Sequence, residues 1–183
     1  MDSVRVLLLA CAVAWAAGCR SEPETPAVRP PETPARPVYF QALRAFVPES
    51  LPGWERTAQA DGSTGKYGDV TVSEVEAIYT RPGDCKLSVR IVDTSLVDKL
   101  APAIRSAVDG ASGRGEEDPT APLRLPDGFG FVRYDEEDRH GEANLLVGDR
   151  YVVALSAEGL PDTKELRQVA RLHLDLAGLS RLR

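Results

Sequence analysis

From Tyr39 onward, apolar and polar residues alternate in short bursts, the pattern of strands that bury one face. Phe40, Leu43 and Phe46 fall instead at helical spacing, which predicts a short helix over 39–47, closed by the turn-rich stretch 48–53. Trp54 is expected to open the first strand. Val70 and Val72 share one phase while Val75, Ala77 and Tyr79 share the other, predicting a β-bulge near Ser73 and Glu74. Arg81, Pro82, Gly83 and Asp84 form a tight turn. Cys85, Leu87, Val89 and Ile91 then alternate with Lys86, Ser88 and Arg90 in the clearest strand of the chain. Thr94 or Ser95 can cap a following helix with the stripe Leu96, Leu100, Ile104 and Val108, which Pro102 should kink or start. Residues 111–120, rich in glycine and charge, read as an exposed loop.

A second group of strands is expected over 123–125, 129–134, 143–147 and 151–155, joined by hairpin turns at 126–128, 138–141 and 148–149. Asp162 and Glu165 stand at capping-box spacing, and Leu166, Val169, Ala170 and His173 share one face of the helix that follows. Leu176, Leu179 and Leu182 finish the chain. Each half thus reads as a strand meander followed by a helix, over 54–108 and 123–174. The expected fold class is α+β: a mainly antiparallel sheet with helices packed on it, two meander-plus-helix halves in one sandwich domain spanning 39–183. That layout resembles the Mog1/PsbP-type sandwich. The stretches FVPESLPGWE (46–55), LLVGDRYVV (145–153) and LDLAGL (174–179) resemble segments of uncharacterised bacterial envelope lipoproteins, a resemblance that implies no active site.

The first residues carry a different signal. One cation, Arg5, precedes an apolar run over 6–17 that is too short to span a bilayer comfortably. Ala16, Ala17, Gly18 and Cys19 follow, and this sequence resembles the bacterial lipobox, with Ala16 in place of the usual leucine. The resemblance implies a signal peptide over 1–18, cleavage between Gly18 and Cys19, and fatty acylation of the Cys19 thiol. Small residues at Ala17 and Gly18 let an extended backbone enter the lipoprotein signal peptidase. An ordinary secretory peptide cut near Ala17, or an uncleaved anchor, are the alternatives. By resemblance to the enterobacterial sorting rule, Arg20 where aspartate would retain the protein favours the outer membrane. Residues 19–38 form a tether in which PETPA recurs with prolines every few positions. Such a segment favours polyproline II and reaches on the order of 50 Å, lifting the domain off the membrane. The PxxP spacings at Pro23/Pro26 and Pro31/Pro34 read as stalk and not as a recognition ligand.

Composition narrows the chemistry. A net charge of −6 argues against nucleic acid as a partner, since phosphates demand a basic face. With Cys11 in the leader and Cys19 acylated, Cys85 is the one remaining thiol, and its place on the apolar phase of a strand predicts burial. Only His140 and His173 exist, with no cysteine pair, so no zinc site and no cofactor is expected. The acids at 135–138 with Glu142 do not match an EF-hand and read as a solvated hairpin tip. Gly110 to Gly115 follows a helix and lacks the strand-to-helix aim of a phosphate loop. No G-x-S-x-G elbow occurs; the nearest stretch, 61–65, has no evident histidine partner. Trp54, Tyr67, Tyr79 and Tyr134 are the aromatic candidates for lining a ligand pocket, with core packing as the competing role. The chain is therefore expected to be a membrane-anchored envelope lipoprotein whose non-catalytic binding or accessory domain contacts another envelope protein. A hydrolase acting on envelope polymers, or a small-ligand carrier, are the alternatives.

Overall fold

The strand pattern begun at Cys85 runs in the computed structural model to Thr94, and it lies in the middle of one large sheet. The structure describes residues 36–111, 113, 118 and 121–182. The expected leader, Gly18, Cys19, the tether as far as Ala35 and most of the glycine-rich loop lie outside them. In chain order the elements are α1 (Phe40–Arg44), β1 (Glu55–Arg56), β2 (Asp61–Tyr67), β3 (Val70–Arg81), β4 (Cys85–Thr94), α2 (Val97–Gly110), β5 (Leu123–Leu125), β6 (Gly128–Asp135), β7 (His140–Val147), β8 (Tyr151–Glu158), α3 (Lys164–Leu172) and α4 (Leu176–Arg181). The fold is α+β, and every ladder is antiparallel. Strand order is β1-β3-β4-β8-β7-β6-β5, with β2 also pairing along β3. The second meander thus starts at the far edge and works inward until β8 closes on β4.

Alternation sorts the side chains into two faces. One register row carries Val75, Ile91, Val153 and Leu145, and the next Ala77, Val89, Leu155, Ala143 and Val132. All are buried, and they share a core with Leu43, Leu166, Val169 and Leu179 of α1, α3 and α4. Each fully buried leucine or valine there contributes roughly 1.5–3 kcal/mol relative to exposure. Across the sheet, α2 covers only one region, packing Val97, Ala101 and Ile104 on Leu146 and Phe129. Gly130 shows how closely β6 meets β7: a Cβ built there would stand 1.8 Å from the Asn144 carbonyl oxygen.

Several local expectations change. No bulge interrupts β3, whose register to β4 is continuous from Val72 to Arg81. Ser73 takes the inward position, fully buried, and exchanges a 2.8 Å hydrogen bond with the Thr64 hydroxyl, while Val70 and Val72 stand on the other face. Thr64 belongs to β2, a strand not foreseen because Asp61, Gly62 and Gly65 are poor strand formers; the edge of β3 templates it. The inward stripe of α2 is Val97, Ala101, Ile104 and Val108, leaving Leu100 exposed. Pro102 neither starts nor breaks α2, because it sits on the solvent side where water can take the carbonyl its missing N–H leaves open. The capping box does not close: the Asp162 carboxylate accepts from the Lys164 amide at 2.8 Å, but Glu165 turns away to Trp54 and Arg81. The first helix is shorter than 39–47 because its last residues close with tighter i to i−3 bonds before Pro48. The domain also starts earlier than residue 39. Pro37 is buried, and the Val38 amide donates to Asp93 Oδ2 at 2.8 Å.

Candidate functional site

Because α2 covers only the Leu146–Phe129 region, the middle of its sheet face stays open. One row across the sheet reads Glu76, Arg90, Ala154, Asn144 and Phe131; the next reads Ile78, Ser88, Ser156, Glu142 and Arg133; the third reads Thr80, Lys86, Glu158 and His140. On the two central strands the short side chains Ser88, Ala154 and Ser156 lie between the longer Glu76, Lys86, Arg90 and Glu158, forming a furrow of about 330 Å³. Arg90 Nη2 pairs with Glu76 Oε2 at 3.3 Å, and Ser88 Oγ donates to the other oxygen of Glu76. At the flank, the Arg133 guanidinium stands 5.0 Å over the Phe131 ring. Both signs of charge border a flat, hydroxyl-lined floor, a surface suited to polar contacts with another macromolecule.

The same face holds a histidine and a serine in contact. His140, at the first position of β7, brings Nε2 to 2.9 Å from Ser156 Oγ. A serine nucleophile works with donors, amide or side-chain, aimed at an oxyanion. Ser156 lies in mid-strand between β4 and β7, where backbone amides are engaged in ladders. The contact is a cross-strand hydrogen bond on the furrow floor.

The four candidate aromatics do not converge on one pocket. Tyr79 is fully buried in the core, and its hydroxyl donates to the Pro48 carbonyl. Burial pushes its phenol above the usual range, with the nearby Arg56 charge pulling partly the other way. Tyr134, half-buried, donates to the Leu160 carbonyl at 2.6 Å. Tyr67 is 69% exposed on β2. Trp54 is buried on the opposite side of the sheet from the furrow, where its indole N–H donates to Glu165 Oε1 at 2.7 Å. Arg81 Nη1 donates to that same oxygen at 2.7 Å and lies 4.5 Å over the Trp54 ring. Burial alone would lower the Arg81 pKa, but contacts with Cys85 and Glu165 outweigh it and raise it. The cleft beside this cluster, bordered by Gln168 and His173, holds only about 60 Å³. Trp54 and Tyr79 pack in the core, while Tyr134 is half-buried and Tyr67 exposed.

Cys85 is free and buried, as its strand phase implied, with Sγ 3.5 Å from the Gly159 carbonyl. The acidic turn is organised by its own backbone: Asp135 Oδ1 accepts from the amides of Glu137 and Asp138 at 2.9 and 3.2 Å. Among the described residues, no group of three or more His, Cys, Asp or Glu side chains is placed to hold a metal ion. No described helix is long and apolar enough to cross a membrane. Sequence reasoning identified Lys86, Ser88 and Arg90 as a wet strand face but not the furrow, because its other wall, Ala154 to Glu158, arrives through the β4–β8 pairing. The chain matches no protein-family model, no curated protein and no solved structure.

Proposed function

We propose that this protein is a membrane-anchored lipoprotein of the cell envelope, acylated at Cys19, whose domain is a non-catalytic binding module that receives another envelope protein on its open sheet face. The observation that carries the binding reading is the furrow floored by Ser88, Ala154 and Ser156, an uncovered stretch in the middle of a broad sheet. The apolar leader, the Ala17-Gly18-Cys19 sequence and the proline tether support the envelope location and favour the outer membrane. The element order also supports reading the sandwich as two meander-plus-helix halves, β1–β4 with α2 and β5–β8 with α3.

The test is a photo-crosslinking amino acid placed in living cells at Ser88 or Ala154, with Leu172, exposed on the far side of the domain, as control. One discrete envelope protein should be captured from the furrow positions and not from Leu172. Capture of nothing, or of the same species from all three positions, overturns the binding reading. A hydrolase of envelope polymers draws on the His140–Ser156 contact and would require a donor other than the strand amides, for which Lys86 and Arg90 line the same furrow.

A further inference from the structure

We propose that the end of the domain where the tether enters docks on the headgroups of an anionic phospholipid surface, through Tyr39 and Tyr67 flanked by Arg36 and Lys66. The inference rests on the reading of Cys19 as a lipid anchor. The root of the tether is fixed to the domain. Asp93, 2% exposed, accepts from the Val38 amide and from Arg150 Nη2, each at 2.8 Å, and Arg150 Nη2 also reaches the Arg36 carbonyl at 3.2 Å. Asp93 lies at the end of β4 and Arg150 just before β8, so the chain emerges at the same sheet end as the β2–β3 turn.

Beside that root is an open cleft of about 670 Å³ whose wall includes Arg36, Tyr39, Thr64 and Lys66. Tyr67, the last residue of β2, stands at the same end on the other face of the strand, its ring folded back over Gly65, where a built Cβ would meet it at 3.2 Å. Tyr39 and Tyr67 are 56% and 69% exposed, and besides them only Leu100 and Leu172 stand out among the large apolar side chains described. Tyrosine, with an apolar ring and a polar tip, is the side chain that prefers the boundary between lipid and water. Arg36 and Lys66 add the attraction to anionic headgroups, opposed locally by Asp69 in the next turn. The patch by itself is small. Tethering supplies the rest: with the anchor seventeen residues before Arg36, the effective concentration of membrane at the patch is high, and a weak contact is populated. The tether length is then the limit of reach of a domain that rests with its strands rising from the surface, its furrow facing sideways and the Asp135–Asp138 turn pointing away.

The test uses the whole mature chain in vesicles of phosphatidylglycerol and phosphatidylethanolamine with brominated acyl chains, which quench indole emission at the interface. Trp54 is buried and supplies the unquenched background. Tyr67→Trp should lose emission in these vesicles, and Glu137→Trp on the far turn should not. Arg36→Ser or Lys66→Ser in the Tyr67→Trp chain should each lower the docked-to-free ratio about fivefold. Equal quenching at both positions, or quenching at neither, overturns the proposal. Two arms keep the anchor separate: chain acylated by its host, and unacylated chain joined through the Cys19 thiol to a maleimide lipid. Quenching in the coupled arm from a chain that cells never acylate supports the patch and overturns the anchor. Acylation in cells with quenching in neither arm overturns the patch alone.

Discussion

Arg150→Met separates a clamp from an ornament. Asp93 is 2% exposed, and its carboxylate takes the Arg150 guanidinium at 2.8 and 3.3 Å in addition to the Val38 amide. Burial would lower the Arg150 pKa, but the bond to Asp93 and its charge raise it, so the guanidinium keeps its charge. Methionine keeps the apolar stem and removes the charge, leaving a buried carboxylate with one amide for company. Removing one member of a buried pair costs about 3–5 kcal/mol. The Arg150 side chain retains 15% exposure, so water can partly replace it and the lower end, about 3 kcal/mol, is expected. For a domain of this size that corresponds to a melting temperature lower by on the order of 10 °C. Removing Asp93 as well, as Asp93→Leu with Arg150→Met, takes away the stranded charge and should recover roughly a third of the loss, leaving about 1 kcal/mol for each of the two orphaned backbone groups, the Val38 amide and the Arg36 carbonyl. Urea unfolding followed by circular dichroism on the Cys19→Ser chain measures Arg150→Met, Asp93→Leu alone and the double substitution, and amide exchange at Val38 reports the root directly. A loss below about 1 kcal/mol for Arg150→Met, or a double substitution as costly as the sum of the singles, refutes the clamp.

Gly130→Ala should prevent stable folding, since its methyl would stand 1.8 Å from the Asn144 carbonyl oxygen in a buried ladder; soluble yield and thermal melting check this, and a melt within a few degrees of the parent contradicts the close approach. Tyr79 should make the domain sensitive to alkali. Its folded pKa is raised, so its contribution is fully present below the unfolded value near 10 and is lost as pH rises from there through the folded value. Tyr79→Phe should be less stable at neutral pH, through loss of the bond to Pro48, yet flatter in stability above pH of about 10, as urea midpoints across that range would show.

The central strand was legible because Cys85 to Ile91 alternates without a break, both its edges are paired, and its inward side chains enter the core under the helices. The misread bulge at Ser73 and the missing β2 are one error. A serine in a core row makes sense only once Thr64 stands opposite to share its hydroxyl, and Thr64 belongs to a strand whose glycines hide it from propensity. On α2, the leucines suggested a phase that packing does not use, because Val97 and Ala101 fit closely over Leu146 while Leu100 can face water. The candidate site was half visible. Lys86, Ser88 and Arg90 could be assigned to a wet face from their alternation, but nothing local brings Ser156 and Glu158 beside them. The Arg36–Asp93–Arg150 cluster was invisible for the same reason, since its members meet only when β4 and β8 pair and the tether root returns to their ends.

The proposed envelope location depends on the chemistry at residue 19. Intact mass and N-terminal fragmentation of the protein taken from the membranes of its native host measure it directly. The account predicts a chain that begins at Cys19 and carries a thioether-linked diacylglycerol; a chain beginning elsewhere, or one with a bare thiol at Cys19, contradicts it.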